Sequence, residues 1–368
     1  MSDALPQMLI VGGATVTDSP PEWEGYHCIC YPRSRDRFCH LRQGVWTPRI
    51  EPRMVDEFAV EAARYDAVFC ETHEALILVT EWAERGIPAR PILALEVDGL
   101  RGADALAGWY QATRGYDPVP ALLRAPWVSW IATSMEQAAR LTTAGIEPDF
   151  LHRVPTGASL FSMLSARAAA LLSGAGLPGA DVELTAGTVL FPGNGRRDWA
   201  AIVGAVLAMP DLPCCIVGSS VRELERRFAA HKARWPPNLR HVESVPLEHY
   251  IELVHAARVA VVPLQPGRGD GGHSTIAIVH RLGVPLVCTD SPALTEYVDG
   301  GRAAQLCAPG DVQGLVRAIR AVLDDAGLRG ALATGGRRAE QLRDEGFRTG
   351  LRAAITRARA SLATPSPT

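Results

Sequence analysis

The chain has 368 residues, 47% hydrophobic and 21% charged, with a formal net charge of −3. That is enough chain for two soluble domains with separate cores, and no apolar run approaches the ~18 residues that cross a bilayer. Residues 1–160 carry 14 basic and 21 acidic side chains, net −7, and residues 161–368 carry 23 and 19, net +4. The acidic half excludes nucleic acid and anionic lipid as partners, while the positive half suits a diphosphate.

Lys232 is the single lysine beside 36 arginines, as a GC-rich bacterial genome would give, and it sits in the polar stretch AHKARW. A P-loop or Schiff-base lysine is thereby excluded. Any side-chain phosphate clamp must be arginine, whose planar fork suits phosphate. The eight cysteines are scattered, with no C-x-x-C, and several lie in apolar strand-like runs. No metal site is expected, and the compartment reads as a reducing cytoplasm.

The N-terminal MSDALPQMLIVGG lacks a basic flank, so its apolar run reads as a first strand. Strands are expected at Met8–Val11, His27–Tyr31, Ala67–Cys70, Pro91–Leu95, Trp127–Ala132 and Phe150–Val154, with helices at Val55–Arg64, Ala75–Arg85 and Met135–Ala144. Ser134 is a good N-cap for the last, and Gly145 stops it. Such alternation predicts a parallel sheet covered on both faces. Gly12-Gly13 after the first strand can approach a diphosphate or acceptor, or simply make a tight βα turn. His73 in CETHE, and Glu96 and Asp98 in LALEVDG, follow strand ends, with Asp18 and Glu22 as weaker acids.

The stretch SGAGLPGADVELTAG at 173–187 reads as a linker. The domains expected are 1–172 and 188–345, with a C-terminal helix and tail over 346–368. In the second, FPGNGRR at 191–197 joins a strand to a helix. Gly193, Asn194 and Gly195 permit close backbone approach, and Arg196 or Arg197 can pair with phosphate. CCIVGSS ends a strand at Gly218 and Ser219, and HVESVPL turns at Ser244 and Val245. The clearest loop is GRGDGGHST, holding Asp270, Gly271, Gly272, His273, Ser274 and Thr275. Its glycines free backbone N–H groups at a helix N-terminus for phosphate, and Ser274 and Thr275 can cap that helix and donate to phosphate. The final helix is expected from Gly335 to Ala363.

The run from Asn238 to Pro309-Gly310-Asp311, and residues 133–157 (TSMEQAARLTTAGIEPDFLHRVPTGAS), resemble the GT-B glycosyltransferases, in particular family 4 or group 1. The resemblance implies two Rossmann-like doubly wound α/β domains facing a cleft. The first would hold the acceptor and the second a nucleoside-diphosphate sugar, linked to UDP, GDP or dTDP. It also implies metal-independent, hexosyltransferase-type transfer to a hydroxyl or amine of a small-molecule or saccharide acceptor, without a cofactor. Residues 196–197 and 267–275 would then hold the donor phosphates, and Ser244 and Val245 the base edge. Many family 4 enzymes carry Glu-x7-Glu at the Gly-rich loop. Aligned through Gly283-Val284-Pro285, the first acid falls on Asp270 and the second on Ile278. The broken pair leaves the stereochemical course open. An inverting enzyme needs a base near the acceptor hydroxyl, with Asp98 the first candidate, Glu96 the second and His73 the third. The acidic first half favours a neutral or cationic acceptor, and a homodimer is compatible with the chain. The alternatives are a nucleotide-sugar epimerase or phosphorylase on the same fold, and a non-catalytic sugar-nucleotide binder. A dehydrogenase is disfavoured, since VGGATV lacks the G-x-G-x-x-G spacing.

Overall fold

The computed structural model describes residues 7–11, 22–23, 26–31, 39–42, 45–48, 52–95, 101–162, 165–174, 184–193, 197–243, 245–265, 271–292 and 294–363. The chain divides into two compact units. The first comprises 1–155, 161–166 and 346–368, and the second 156–160 and 167–345. Residues 156–160 and 167–172, which the composition places before the linker, therefore pack with the second unit.

The first unit is built from β1 (Gln7–Val11), β2 (Glu22–Trp23), β3 (Tyr26–Tyr31), the hairpin β4–β5 (Cys39–Arg42, Val45–Pro48), α1 (Pro52–Ala62), β6 (Ala67–Glu71), α2 (Thr72–Arg85), β7 (Ile92–Leu95), α3 (Arg101–Arg114), α4 (Val119–Arg124), β8 (Val128–Ala132), α5 (Met135–Thr143) and β9 (Leu151–Arg153). Its sheet runs β2-β3-β1-β6-β7-β8-β9, parallel except for β2. All five residues of β8 are buried, as both faces must be in a covered parallel sheet. Trp82, Trp130, Phe58 and Tyr110 fill the core. The Ser134 hydroxyl accepts from the Gln137 N–H and caps α5 as its sequence indicates. The hairpin, α3 and α4 are not among the elements expected from the sequence and appear only in the structure.

The second unit continues through α6 (Ser159–Ser162, shared with the first), α7 (Ala166–Leu172), β10 (Val189–Pro192), α8 (Trp199–Ala208), β11 (Cys214–Val217), α9 (Val221–Ala230), β12 (Leu239–Val242), α10 (Leu247–Ala256), β13 (Val259–Val262), α11 (His273–Leu282), β14 (Leu286–Thr289), β15 (Gln305–Cys307), α12 (Val312–Asp324) and the first part of α13 (Ala326–Ala363), whose residues from 346 on belong to the first unit. Its six strands are parallel in the order β12-β11-β10-β13-β14-β15. This is the doubly wound 3-2-1-4-5-6 order. It reverses between β10 and β13, and ligands in such sheets bind outside the strand carboxyl ends at that reversal. The side chains of Asp198, Ser220 and Asp311 cap α8, α9 and α12 by accepting N–H bonds three residues on.

The last helix begins at Ala326, nine residues before the expected start, and runs 38 residues. Gly335 and Gly336 are interior to it, not its boundary. A Cβ at Gly335 would stand 2.3 Å from the Arg302 carbonyl oxygen, and one at Gly336 2.7 Å from the His280 ring. The glycines let the helix backbone press against the second unit, a packing need that overrides their low helix propensity.

Candidate functional site

The reversal between β10 and β13 brings two of the candidate loops together. β10 ends at Pro192, and Gly193 follows with φ +80°. Arg197 then bridges to Leu264, just beyond β13, and the Asp198 N–H donates to the Pro263 carbonyl. The Arg197 guanidinium turns back. Its Nε and Nη2 donate to the Pro192 carbonyl at 3.1 and 2.9 Å, and Nη2 also donates to Thr275 Oγ1 at 3.2 Å. Arg197 is 3% exposed. It is therefore an internal brace of the loop and not the solvent-facing arginine of an ordinary glycine turn.

Gly272 enters α11 with φ +78°. A Cβ there would lie 3.0 Å from Val262 Cγ1 and 3.5 Å from Arg197 Nη1. Only glycine fits both the backbone angle and the space. Gly272 is the N-cap and carries no side-chain cap, and Ser274 is exposed. The expected Ser/Thr capping is thus replaced. Thr275 Oγ1 is instead drawn inward, accepting from Arg197 and, at 3.1 Å, from the Tyr250 hydroxyl on α10. The first N–H groups of α11 remain at the helix N-terminus, where they suit an anion.

His273 is 7% exposed and not a solvated loop histidine. Its ring stacks on Tyr297 at 4.2 Å between centroids and 8° between planes. The Tyr297 hydroxyl accepts from the Thr156 N–H, and its carbonyl accepts from Arg343. Arg343 also donates to His280 Nδ1 and to Glu340. Because Nδ1 accepts, His280 carries its proton on Nε2 and donates it to the Ala303 carbonyl. Burial, reinforced by Arg343, lowers the His280 pKa to about 3. Burial pushes the Glu340 carboxyl up to about 7, against Arg343, the Ala158 N–H and Arg281, which favour its anion. Asp344 completes the cluster, pairing with Arg281 at 2.6 Å and accepting from the Ser159 N–H. This buried array fixes α11, and hence the loop at its start, to α13 and to residues 156–159.

Ser219 is buried after the left-handed Gly218, and its carbonyl lies 2.6 Å from His241 Nε2. Gly271 and Val245 are partly exposed. Gly12, Gly13, Glu96, Asp98, Asn194, Arg196, Ser244 and Asp270 lie outside the described residues, as does the side chain of His73. His73 belongs to the first turn of α2, directly after β6, which pairs with β1 where the first sheet's order reverses. Tyr250 and Tyr297 escape sequence reasoning. Each occupies an ordinary helix or turn position, and no local pattern marks a tyrosine that will meet a distant loop. Among the described residues no group of three or more His, Cys, Asp or Glu could hold a metal ion. No described helix is long and apolar enough to cross a membrane.

A family model described as Glycosyl transferases group 1 matches residues 195–325, a span that contains Arg197 and the start of α11. Among solved structures, the chain is similar to sucrose-phosphate synthase from Thermosynechococcus elongatus. Identity is 17%, over 94% of this chain and 97% of that one, with a TM-score of 0.59. It is similar to HepE of Anabaena in complex with UDP-glucose at 17% identity, over 82% and 81% of the two chains, with a TM-score of 0.58. An α,α-trehalose-phosphate synthase (UDP-forming) from Burkholderia xenovorans, in complex with glucose-6-phosphate, aligns at 11% identity over 83% and 77%, with a TM-score of 0.57. No curated protein matches the chain. Identities this low establish a shared fold, and the family match lies on the unit that carries the glycine-rich loops. The chain shares the α/β fold of these GT-B glycosyltransferases, and its residues 195–325 match the group 1 glycosyl transferase family model.

Proposed function

We propose that the protein transfers a sugar from a UDP-linked donor to a hydroxyl of a small-molecule or saccharide acceptor, without a metal ion. One observation carries this reading: a buried arginine and a threonine hydroxyl meet beneath two left-handed glycines, at the N-terminus of α11. The place is the reversal of a doubly wound sheet, where a diphosphate finds backbone donors and a fixed positive charge. The similar structures that hold UDP or UDP-glucose support UDP as the nucleotide.

In this reading the donor diphosphate lies over Gly193 and the start of α11. Negative charge grows on the diphosphate as the glycosidic bond breaks. Arg197, Thr275 and the backbone N–H groups of 272–275 stabilise it, and as fixed dipoles they need little reorganisation. Arginine supplies the charge that a divalent cation would otherwise bring. The acceptor's proton passes to a group of the first unit. Asp98, Glu96 and His73 are the candidates, in that order, because each follows a strand end on the sheet. The buried free cysteines Cys70, Cys214, Cys215, Cys288 and Cys307 support a reducing, cytoplasmic setting.

The test is calorimetric titration with UDP, GDP, ADP and dTDP, each with a chelator present. Metal-independent binding of UDP in preference to the others is the expected outcome. Absence of binding to all four would overturn the donor site and the transferase mechanism built on it.

A further inference from the structure

We infer that Tyr250 is a positioning residue for the donor diphosphate, acting through the hydroxyl of Thr275; this rests on the donor site proposed above. Arg197 Nη2 can only donate, so it occupies one lone pair of Thr275 Oγ1, at 3.2 Å. The Tyr250 hydroxyl lies 3.1 Å from the same oxygen. The two hydroxyls hold two hydrogens, and their mutual contact uses one. The phenol is much the stronger acid, so Tyr250 donates and Thr275 accepts. Both lone pairs of Thr275 are then filled. Among the described residues its own hydrogen meets no acceptor, although the residue is only 8% exposed.

The hydroxyl is thus left with a single thing to offer, a donor. With both lone pairs held by donors, rotation about the Cβ–Oγ bond is fixed, and the direction of that donor is narrow. The space beside it is kept open by Gly193. A Cβ there would stand 3.4 Å from Thr275 Oγ1 and 2.7 Å from Arg197 Nη2. A phosphate oxygen entering over Gly193 would meet the guanidinium and the outward O–H together. A group that needs an acceptor would find none on either. Without the Tyr250 hydroxyl, Thr275 regains a free lone pair, and its hydrogen can rotate to other directions. The tyrosine touches no ligand itself, yet it decides which way the threonine donates.

The experiment is a double-mutant cycle read with UDP by calorimetry and with uridine by ligand-observed NMR. Tyr250→Phe keeps the ring and removes only the hydroxyl, and Thr275→Val keeps the shape of the side chain. Tyr250→Phe is expected to weaken UDP about fivefold, the worth of one ordinary hydrogen bond, and to leave uridine unchanged. Thr275→Val should weaken UDP at least about tenfold, as expected for a lost bond to a charged group. The double variant should be no weaker than Thr275→Val alone, because Tyr250 acts only through Thr275. Thr275→Ser should restore binding to within about threefold of the wild type, since a hydrogen bond is kept and only rotamer freedom is added.

Wild-type affinity in Tyr250→Phe, equal losses for UDP and uridine, or additive losses in the double variant would each overturn the positioning role while leaving the donor site intact. Failure of the wild type to bind UDP, GDP, ADP or dTDP would overturn both the site and this role.

Discussion

Two glycines of the second unit share a left-handed backbone and differ in their surroundings, which isolates the brace under the donor loop. Gly187 has φ +88° and Gly193 φ +80°. A Cβ at Gly187 meets nothing within 4 Å, whereas one at Gly193 would be 2.7 Å from Arg197 Nη2. Gly187→Ala therefore incurs only left-handed strain, about 1–2 kcal/mol. Gly193→Ala incurs the same strain and must also displace a buried guanidinium held by three hydrogen bonds. Loss of even one charge-assisted bond costs about 1.5–3 kcal/mol, so a total of about 3–5 kcal/mol is expected. Urea unfolding of both variants, followed by tryptophan fluorescence, measures the difference, expected near 2 kcal/mol. Equal destabilisation within about 0.5 kcal/mol, the usual scatter for independent sites, would mean that Arg197 moves aside freely and is no brace. UDP binding gives a second reading, since only Gly193→Ala should weaken it.

The buried cluster beneath α11 makes further predictions. His280 has a folded pKa of about 3, below its ordinary 6.5. The folded state therefore prefers the neutral ring, and stability is lost as pH falls from 6.5 toward 3. By pH 5 the loss is about 2 kcal/mol, from 1.5 units at about 1.36 kcal/mol each. Glu340 works in the opposite sense, since its raised carboxyl favours the folded state at low pH and loses that advantage as pH rises through about 7. Comparing wild type with His280→Gln cancels the glutamate, and the variant should show the shallower loss between pH 6.5 and 5 in urea titrations; parallel curves would refute a buried neutral histidine. Asp344→Ala removes a buried partner of Arg281 and the acceptor for the Ser159 N–H. It should lower stability by about 3–5 kcal/mol, and a loss under about 1 kcal/mol, the range of an exposed pair, would show that the pair is effectively solvated. Arg197→Lys keeps the charge but cannot grip the Pro192 carbonyl and Thr275 together. UDP affinity should fall about tenfold, as for one charge-assisted bond, and unchanged affinity would remove Arg197 from the donor site.

Much of this protein was legible in its residues. Runs such as Val259–Val262 read as strands buried on both faces, and Ser134 marks the start of α5 through a local hydrogen bond. These are short-range effects, so the alternating order of a doubly wound fold, and the Gly-rich turns that suit phosphate, follow from the sequence alone. What tertiary structure decided is where side chains go once distant segments meet. Arg197 reads only as one of two arginines that could pair with phosphate until β13 and α11 close over it. Thr275 reads as a capping residue until Tyr250, 25 residues earlier, claims its oxygen. Gly335 and Gly336 read as a helix boundary until the backbone of 302–303 and the His280 ring press against them. In each case a contact between segments far apart in the chain outweighs a local preference worth about 1 kcal/mol.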